Sequence, residues 1–293
     1  MKDSSLTPID KRAVRRAFNK AAATYDDAAV LQREVASRLL ERLDLVRLEP
    51  HWILDAGSGT GYCSRALNKR YPKARVLAFD LADAMLRRAR KAKGWFARQH
   101  FVCGDLESLP LQDARFDLVF SSLSLQWCND LDRALAEFAR VLRPGGLLMF
   151  TTFGPDTLKE LRQVFRAVDD AHSHVSDFID MHDIGDALVR NAFEAPVMDV
   201  EHFTLTYADV RAVMRDLKAI GAQNATSARP RGLMTARRLQ ALSDAYERFR
   251  RPDGLPATYE VVYGHAWAGR RSDNRPLSDG RVGVPLSQLR RRA

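Results

Sequence analysis

Ile53-Leu54-Asp55-Ala56-Gly57-Ser58-Gly59-Thr60-Gly61 decides the fold, because an apolar run ends in Asp-x-Gly-x-Gly-x-Gly and passes directly into a helical pattern. The spacing predicts a strand, a tight turn and a helix. Glycines at such a turn accept positive φ and leave no Cβ between the main chain and a ligand, so a bulky charged molecule can lie against the backbone. The same turn also fits the fingerprint that holds the pyrophosphate of NAD, and by itself it leaves the ligand open.

Four further apolar runs narrow the choice. Arg75-Val76-Leu77-Ala78-Phe79 ends at Asp80, and Phe101-Val102-Cys103 ends at Gly104-Asp105. Phe116-Asp117-Leu118-Val119-Phe120 follows, then Leu147 to Thr152, entered through Pro144-Gly145-Gly146. Strands alternating with helices predict an α/β fold around a mostly parallel sheet, with Tyr259 to Trp267 as a closing antiparallel strand. In an open sheet of this kind ligands bind beyond the carboxyl ends of the strands, which brings Asp55, Asp80 and Asp105 to one crevice. Three carboxylates suit a cationic ligand with a ribose and an adenine, and suit a pyrophosphate poorly. Taken singly, each is equally an ordinary cap at the start of a loop.

The constellation resembles the class I S-adenosylmethionine-dependent methyltransferases. The fold this implies is Rossmann-like, with a seven-stranded, mostly parallel sheet and an antiparallel last strand. By the same resemblance Gly57, Gly59 and Gly61 contact the amino-acid part of S-adenosylmethionine, Asp80 accepts from the ribose hydroxyls and Asp105 from the adenine amino group. A bidentate carboxylate is the natural partner of a cis-diol, and an amino group needs an acceptor. Asp55 would orient the loop or receive the methionine ammonium. Leu81, Met85, Leu106 and Ser121, beside these strand ends, complete the implied cofactor set. Ser58 stands where the superfamily turn often has Cys, a change the retained glycines should tolerate.

With 293 residues the chain can bury a large core as one catalytic domain bearing an insertion. The predicted organisation is a helical lid over residues 1–45, a methyltransferase domain over 46–269 with a helical insertion near 207–251, and a basic tail over 270–293. The three cysteines, Cys63, Cys103 and Cys128, are dispersed and form no disulfide framework or zinc knuckle. No apolar stretch follows Met1-Lys2-Asp3-Ser4-Ser5, and no run of eighteen apolar residues occurs, so a soluble, cytoplasmic protein without a membrane is expected. The net charge of +9 invites nucleic acid as a partner, but the tail, with seven arginines against two aspartates, carries five of those nine charges. Its Gly, Pro and Ser content reads as a disordered extension, and the body is only mildly basic. Two clusters stand out there: Arg87, Arg88, Arg90, Lys91 and Lys93 after the second strand, and Arg229, Arg231, Arg237 and Arg238 near the carboxyl end. Each is either a solvated face or a dock for an acidic partner.

Val14, Phe18, Ala21 and Tyr25 fall at helical spacing, as do Leu31, Val35, Leu39 and Leu43, with a capping break at Tyr25-Asp26-Asp27. This amphipathic lead-in is placed over the cofactor crevice, with Tyr25 either a lid residue or an ordinary half-buried tyrosine. Val210, Val213, Met214 and Leu217 share one face of the helical insertion and read as core. His172, His174, Asp177, Asp180, His182 and Asp183 look like metal ligands, yet no ligand motif joins them and no metal is expected.

Several segments are more specific than the cofactor turn. Asp10 to Phe18, Ala28 to Val35, Leu123-Ser124-Leu125-Gln126-Trp127-Cys128, Thr151 to Leu161 with His174 to Phe178, Asp216 to Ala222, and Tyr259 to Trp267 together resemble the malonyl-acyl-carrier-protein O-methyltransferases of biotin synthesis, over roughly residues 10–268. The family implies methylation of the free carboxyl of a malonyl thioester, on an acidic carrier protein or on coenzyme A. Such a carboxyl is ionised at neutral pH, so the nucleophile needs no strong base, only alignment and removal of water. Tyr25, Gln126 and Trp127 are expected to shape that pocket, Tyr25 and Gln126 as donors to the carboxylate, with His174 near the thioester. After Phe120 the Asn/Asp-Pro-Pro-Tyr motif of enzymes acting on base amino groups is absent, which disfavours nucleic acid as substrate. Two other readings stay open: a methyltransferase for another small acid or a quinone precursor, and an assembly factor or hydroxylase of the same fold. The carrier, the chain length accepted, the role of the tail and the oligomeric state are not legible.

Overall fold

The computed structural model describes residues 7–169, 174–227, 229, 235–269, 275–276 and 282–283. Three helices lead in: α1 (Lys11–Ala21), α2 (Tyr25–Ala28) and α3 (Val30–Glu41). The alternating body follows as β1 (Trp52–Ala56), α4 (Tyr62–Arg70), β2 (Arg75–Asp80), α5 (Asp83–Ala92), β3 (Gln99–Cys103), β4 (Phe116–Ser122), α6 (Leu131–Val141) and β5 (Leu142–Phe153). The remainder is α7 (Lys159–Val168), α8 (Met181–Arg190), β6 (Phe193–Tyr207), α9 (Val210–Ala219), α10 (Ala236–Tyr246) and β7 (Leu255–Ala268).

The seven strands form one sheet in the order β3-β2-β1-β4-β5-β7-β6. β7 runs antiparallel to both β5 and β6, while the other pairings are parallel. The order reverses between β1 and β4, and a crevice opens there beyond the carboxyl ends of the strands. Successive strand residues point to opposite faces, which divides the core in two. Ile53, Leu118, Phe120, Leu147 and Met149 pack with Leu31, Val35, Leu39 and Leu43 of the lead-in on one face. Leu54, Val119, Leu148 and Phe150 pack with Leu135, Phe138 and Leu188 on the other. Each fully buried Leu contributes roughly 1.5–3 kcal/mol, so the second half of the lead-in is part of the core and not a loose cover. Val210 and Val213 are buried on that first face, as their spacing predicts, and Met214 and Leu217 pack against it.

One local reading is corrected. Tyr207 does not open a helix: it ends β6, which pairs with β7 from Phe193↔Ala268 to Tyr207↔Leu255. The helical insertion therefore starts only at α9, with Asp209 as its cap, accepting from Ala212 N. Arg231, His172 and, apart from the paired two-residue strands Arg275–Pro276 and Val282–Gly283, the basic tail lie outside the described residues.

Candidate functional site

The glycine turn is built as its sequence requires. Gly57 has φ +82°, and a Cβ there would lie 2.2 Å from Ser124 Cβ; Gly59 has φ +52° and nothing within 4 Å of the same position. The first glycine is therefore demanded by packing, and the second leaves its face of the turn open to the crevice. Gly61 caps the start of α4. Gly57 N and Ser58 N both donate to Phe79 O, at 2.8 and 2.9 Å, which fastens the turn to β2.

Asp80 ends β2 with Oδ2 accepting from Gly59 N and Oδ1 from Ala82 N, each at 2.8 Å. Both oxygens keep a lone pair for a further donor. Burial raises its pKa against the two backbone hydrogen bonds that lower it. Leu81, Met85, Asp105 and Leu106 line the same cavity as Gly57, Gly59 and Asp80. Carboxylates at the ends of β2 and β3 as acceptors, apolar walls between them and an open glycine turn beneath are what a ribosyl adenine with a cationic side chain requires.

Asp55 does not face that cavity. It is 1 % exposed, and Ser64 Oγ donates to its Oδ2 at 2.5 Å. Burial pushes its pKa up to about 7, against the Ser64 hydrogen bond and aided by the charge of Asp80. Of the two roles expected for Asp55, orienting the loop and the start of α4 fits this position. Ser121 is likewise fully buried, its hydroxyl 2.5 Å from Ser124 Oγ, and Ser122, Leu123 and Ser124 line the crevice in its place. The strand ends one residue later than the expected contact, which turns Ser121 inward.

The lead-in closes over this crevice. Lys11, Val14, Phe18, Tyr25 and Gln32 line it from above. Lys11 Nζ meets Asp105 Oδ1 at 2.8 Å and Glu107 Oε1 at 3.3 Å. Thr60 Oγ1 donates to Asp26 Oδ1 at 2.6 Å, and Arg88 Nε to Asp26 Oδ2 at 3.1 Å, so the break between α1 and α3 is held to the glycine turn and to α5. Arg88 is thus a structural clamp and not part of a free basic face. A second cavity on the far side of the turn shares Tyr25, Gln32, Gly57 and Gly59 and adds Arg33, Thr60 and Arg65. Burial first, and the nearby Asp80 second, raise the Tyr25 phenol, which stays protonated and can only donate or accept a neutral hydrogen bond.

A larger cavity of about 460 Å³ meets the crevice at Gln32, Gln126, Trp127, Phe153, Ile220 and Ala222. Gln126 Nε2 donates to Leu123 O at 2.7 Å, and Thr152 Oγ1 donates to Gln126 Oε1 at 3.4 Å. These bonds fix the amide and leave one N–H for a ligand. Trp127 stands edge-on to Phe18, ring centroids 5.3 Å apart. His174 lies in the wall of this larger cavity, stacked 4.1 Å over Phe165 with Nε2 2.6 Å from Asp169 Oδ2. Gln32, Phe153, Ile220 and Ala222 are wall residues that the sequence did not single out, because only the packing of α3 and α9 over the sheet brings them together.

The expected arginine dock is not one surface. Arg229 pairs with Asp10 at 3.2 Å and lines the larger cavity, and Arg238 pairs with the 6 % exposed carboxylate of Asp169. Arg237 alone of the described members is exposed without an ion pair among the described residues. The suspected metal cluster also separates: His174 turns to Asp169, while Asp180 caps α8 and meets His182 Nδ1 at 2.7 Å. Among the described residues only Asp156, His202 and Glu260 gather ligand atoms, at the surface, and Lys159 already pairs with Asp156 at 2.9 Å.

Residues 54–150 match the family model described as a methyltransferase domain. A malonyl-acyl-carrier protein O-methyltransferase of Methylovorus sp. is 59 % identical over 88 % of this chain and 89 % of its own length. One of the same name from Halorhodospira halophila is 52 % identical over 100 % of this chain and 99 % of its own. The chain belongs to the malonyl-acyl-carrier protein O-methyltransferase family. Among solved structures, the YcgJ protein of Bacillus subtilis superposes with a TM-score of 0.57 at 17 % identity, over 81 % of this chain and 99 % of that one. Phosphoethanolamine N-methyltransferase 2 of Haemonchus contortus, solved with S-adenosyl-L-methionine, reaches 0.52 at 17 % identity over 86 % and 57 % of the two chains. These two likenesses show a shared fold, and together with the methyltransferase-domain match and the antiparallel β7 they bear out the expected class I methyltransferase fold. No helix among the described residues is long and apolar enough to cross a membrane.

Proposed function

We propose that this chain uses S-adenosylmethionine to methylate the free carboxylate of a malonyl group held as a thioester, on a carrier protein or coenzyme A, and so opens the route to the pimeloyl part of biotin. The observation that carries the reading is the junction of two cavities. One has the acceptors for a ribosyl adenine, Asp80 and Asp105; the other is large and mostly apolar; they meet at Gln126 and Trp127. Membership of a family whose relatives bear the malonyl-acyl-carrier protein name supports the substrate.

S-adenosylmethionine, when bound, supplies a methyl group on a positively charged sulfur, which a carboxylate oxygen takes with its own lone pair while the S–C pair returns to sulfur. No proton moves, so the residues here act by position. Asp80 would hold the ribose, Asp105 would offer Oδ2 to the adenine amino group, and Gly59 would leave its face of the turn open for the amino-acid end. Arg33, on the wall of the far cavity, would supply a cation for its carboxylate. The remaining N–H of Gln126 and the protonated Tyr25 hydroxyl would hold and orient the malonyl carboxylate for the methyl group the cofactor would supply. Trp127, Phe153 and Ile220 exclude water from the junction, which strengthens the attraction between carboxylate and sulfonium.

The reading requires the distal carboxylate. With acetyl-carrier protein, which lacks it, methyl transfer should be absent while malonyl-carrier protein turns over. Equal transfer to both would place the methyl elsewhere and defeat the proposal.

A further inference from the structure

The larger cavity extends well past the methyl-transfer junction, and a malonyl group fills only its inner end. Leu158, Leu161, Phe165 and Val175 are buried in its wall, whereas Lys218 and Gln223 are exposed. The cavity therefore runs from Gln126 at its inner end to an opening beside the last turn of α9. At about 460 Å³ it is within the size range of small-molecule sites.

The cations at that opening are unequal. Arg229 is held by Asp10 at 3.2 Å and by the carbonyls of Ala225 and Thr226 at 3.3 and 3.0 Å. Lys218 has no carboxylate within ion-pair distance among the described residues. The carbonyls at the end of its helix are occupied, Leu217 O by Ala222 N at 2.9 Å and Lys218 O by Gly221 N at 3.1 Å. An ammonium on a long, unpaired stem at the rim of an apolar tunnel is the group this structure offers to an anion at the outer end of the substrate.

Resting on the reading above, we infer that the larger cavity takes the pantetheine arm of the thioester and that Lys218, with Arg229 behind it, holds the phosphate at the arm's outer end. The wall supplies what such an arm needs: apolar contact for its methyl-bearing carbons, and Ser176 and Asn224 as polar residues beside its amides. This phosphate is common to carrier protein and coenzyme A, so one site serves recognition of either. The substrate class recognised is a phosphopantetheinyl thioester, and the phosphate sets how deep the malonyl group reaches toward Gln126.

Malonyl-phosphopantetheine and malonyl-pantetheine differ by that phosphate alone and form the test. The wild-type chain should favour the phosphorylated thioester in kcat/KM by about fivefold, the worth of one partly exposed ion pair. In Lys218→Ala the ratio should fall toward one, and Lys218→Arg should restore most of it. Malonyl-carrier protein and malonyl-coenzyme A, run beside them, should both lose turnover in Lys218→Ala, the larger loss marking the carrier whose phosphate the site holds better. A wild-type ratio of one, or a Lys218→Ala loss equal on both small thioesters, would overturn the phosphate site while leaving carboxyl methylation intact. Failure of every malonyl thioester to accept methyl would instead remove the function itself.

Discussion

Lys11 Nζ, at the start of the lead-in, lies 2.8 Å from Asp105 Oδ1 just past β3. The residue proposed to receive the adenine is thereby tied to the lid that covers it, and closure and cofactor binding share one carboxylate. Oδ1 also accepts from Glu107 N at 3.1 Å, which leaves Oδ2 for the adenine amino group. Lys11→Met keeps the aliphatic stem and removes the charge. The expected result is faster amide hydrogen exchange across Lys11–Ala21 and a cofactor Kd raised about fivefold, as for a half-buried ion pair worth about 1 kcal/mol. Unchanged exchange in α1 would mean that the lid is held without Lys11.

The two inner glycines should separate folding from binding. Gly57→Ala drives a methyl into Ser124 and forces an L-residue at φ +82°, so a loss of roughly 2–4 kcal/mol and a clearly lowered Tm are expected. Gly59→Ala meets open space at φ +52°, so its stability cost should be about 1 kcal/mol, with cofactor affinity taking the larger loss. Calorimetry on both, with and without S-adenosylhomocysteine, checks the contrast; equal stability losses would contradict it.

Asp55 makes stability depend on pH in a definite direction. Its folded-state pKa, about 7, is raised above the unfolded value near 3.8, chiefly by burial. The folded chain therefore holds this proton more tightly than the unfolded one. The contribution is fully present below about pH 4, is lost as pH rises toward 7, and is on the order of 4 kcal/mol. Asp55→Asn retains an acceptor for Ser64 and removes the titration. Its Tm should vary less between pH 4 and 7 than that of the parent chain, and parallel profiles would rule the effect out.

Much of this was legible in sequence because it is local. Asp80 and the Gly57–Gly61 turn announce themselves within a strand, a turn and a helix, Gln126 and Trp127 fall in a segment specific enough to place, and Tyr25 follows the helical spacing of the lead-in. The ties that complete the site are not local: Lys11 and Asp105 are 94 residues apart, and Thr60 reaches Asp26 across 34. β6 carried no clear signal because it lies at the sheet edge, with Pro196 interrupting its alternation and much of its surface half exposed. Arg229 and Arg238 read as a free basic patch until the fold supplied Asp10 and Asp169 as partners.

Tyr25 and Gln126 are the chemical side of the site. Loss of one positioned hydrogen bond to a charged group costs about 1.5–3 kcal/mol, so Gln126→Ala and Tyr25→Phe should each lower kcat about 10- to 100-fold. Single-turnover rates at saturating cofactor separate this from weaker binding. Full turnover with normal KM in both variants would remove their assigned roles.

Transfer of labelled methyl from S-adenosylmethionine to malonyl-carrier protein, with succinyl-carrier protein and malonyl-coenzyme A in parallel, tests the central claim most directly. Base-labile label on the malonyl thioesters and little on succinyl is the predicted result, since the junction at Gln126 and Trp127 sets the depth of the carboxylate. No label on any of them, with S-adenosylmethionine measurably bound, would contradict the account.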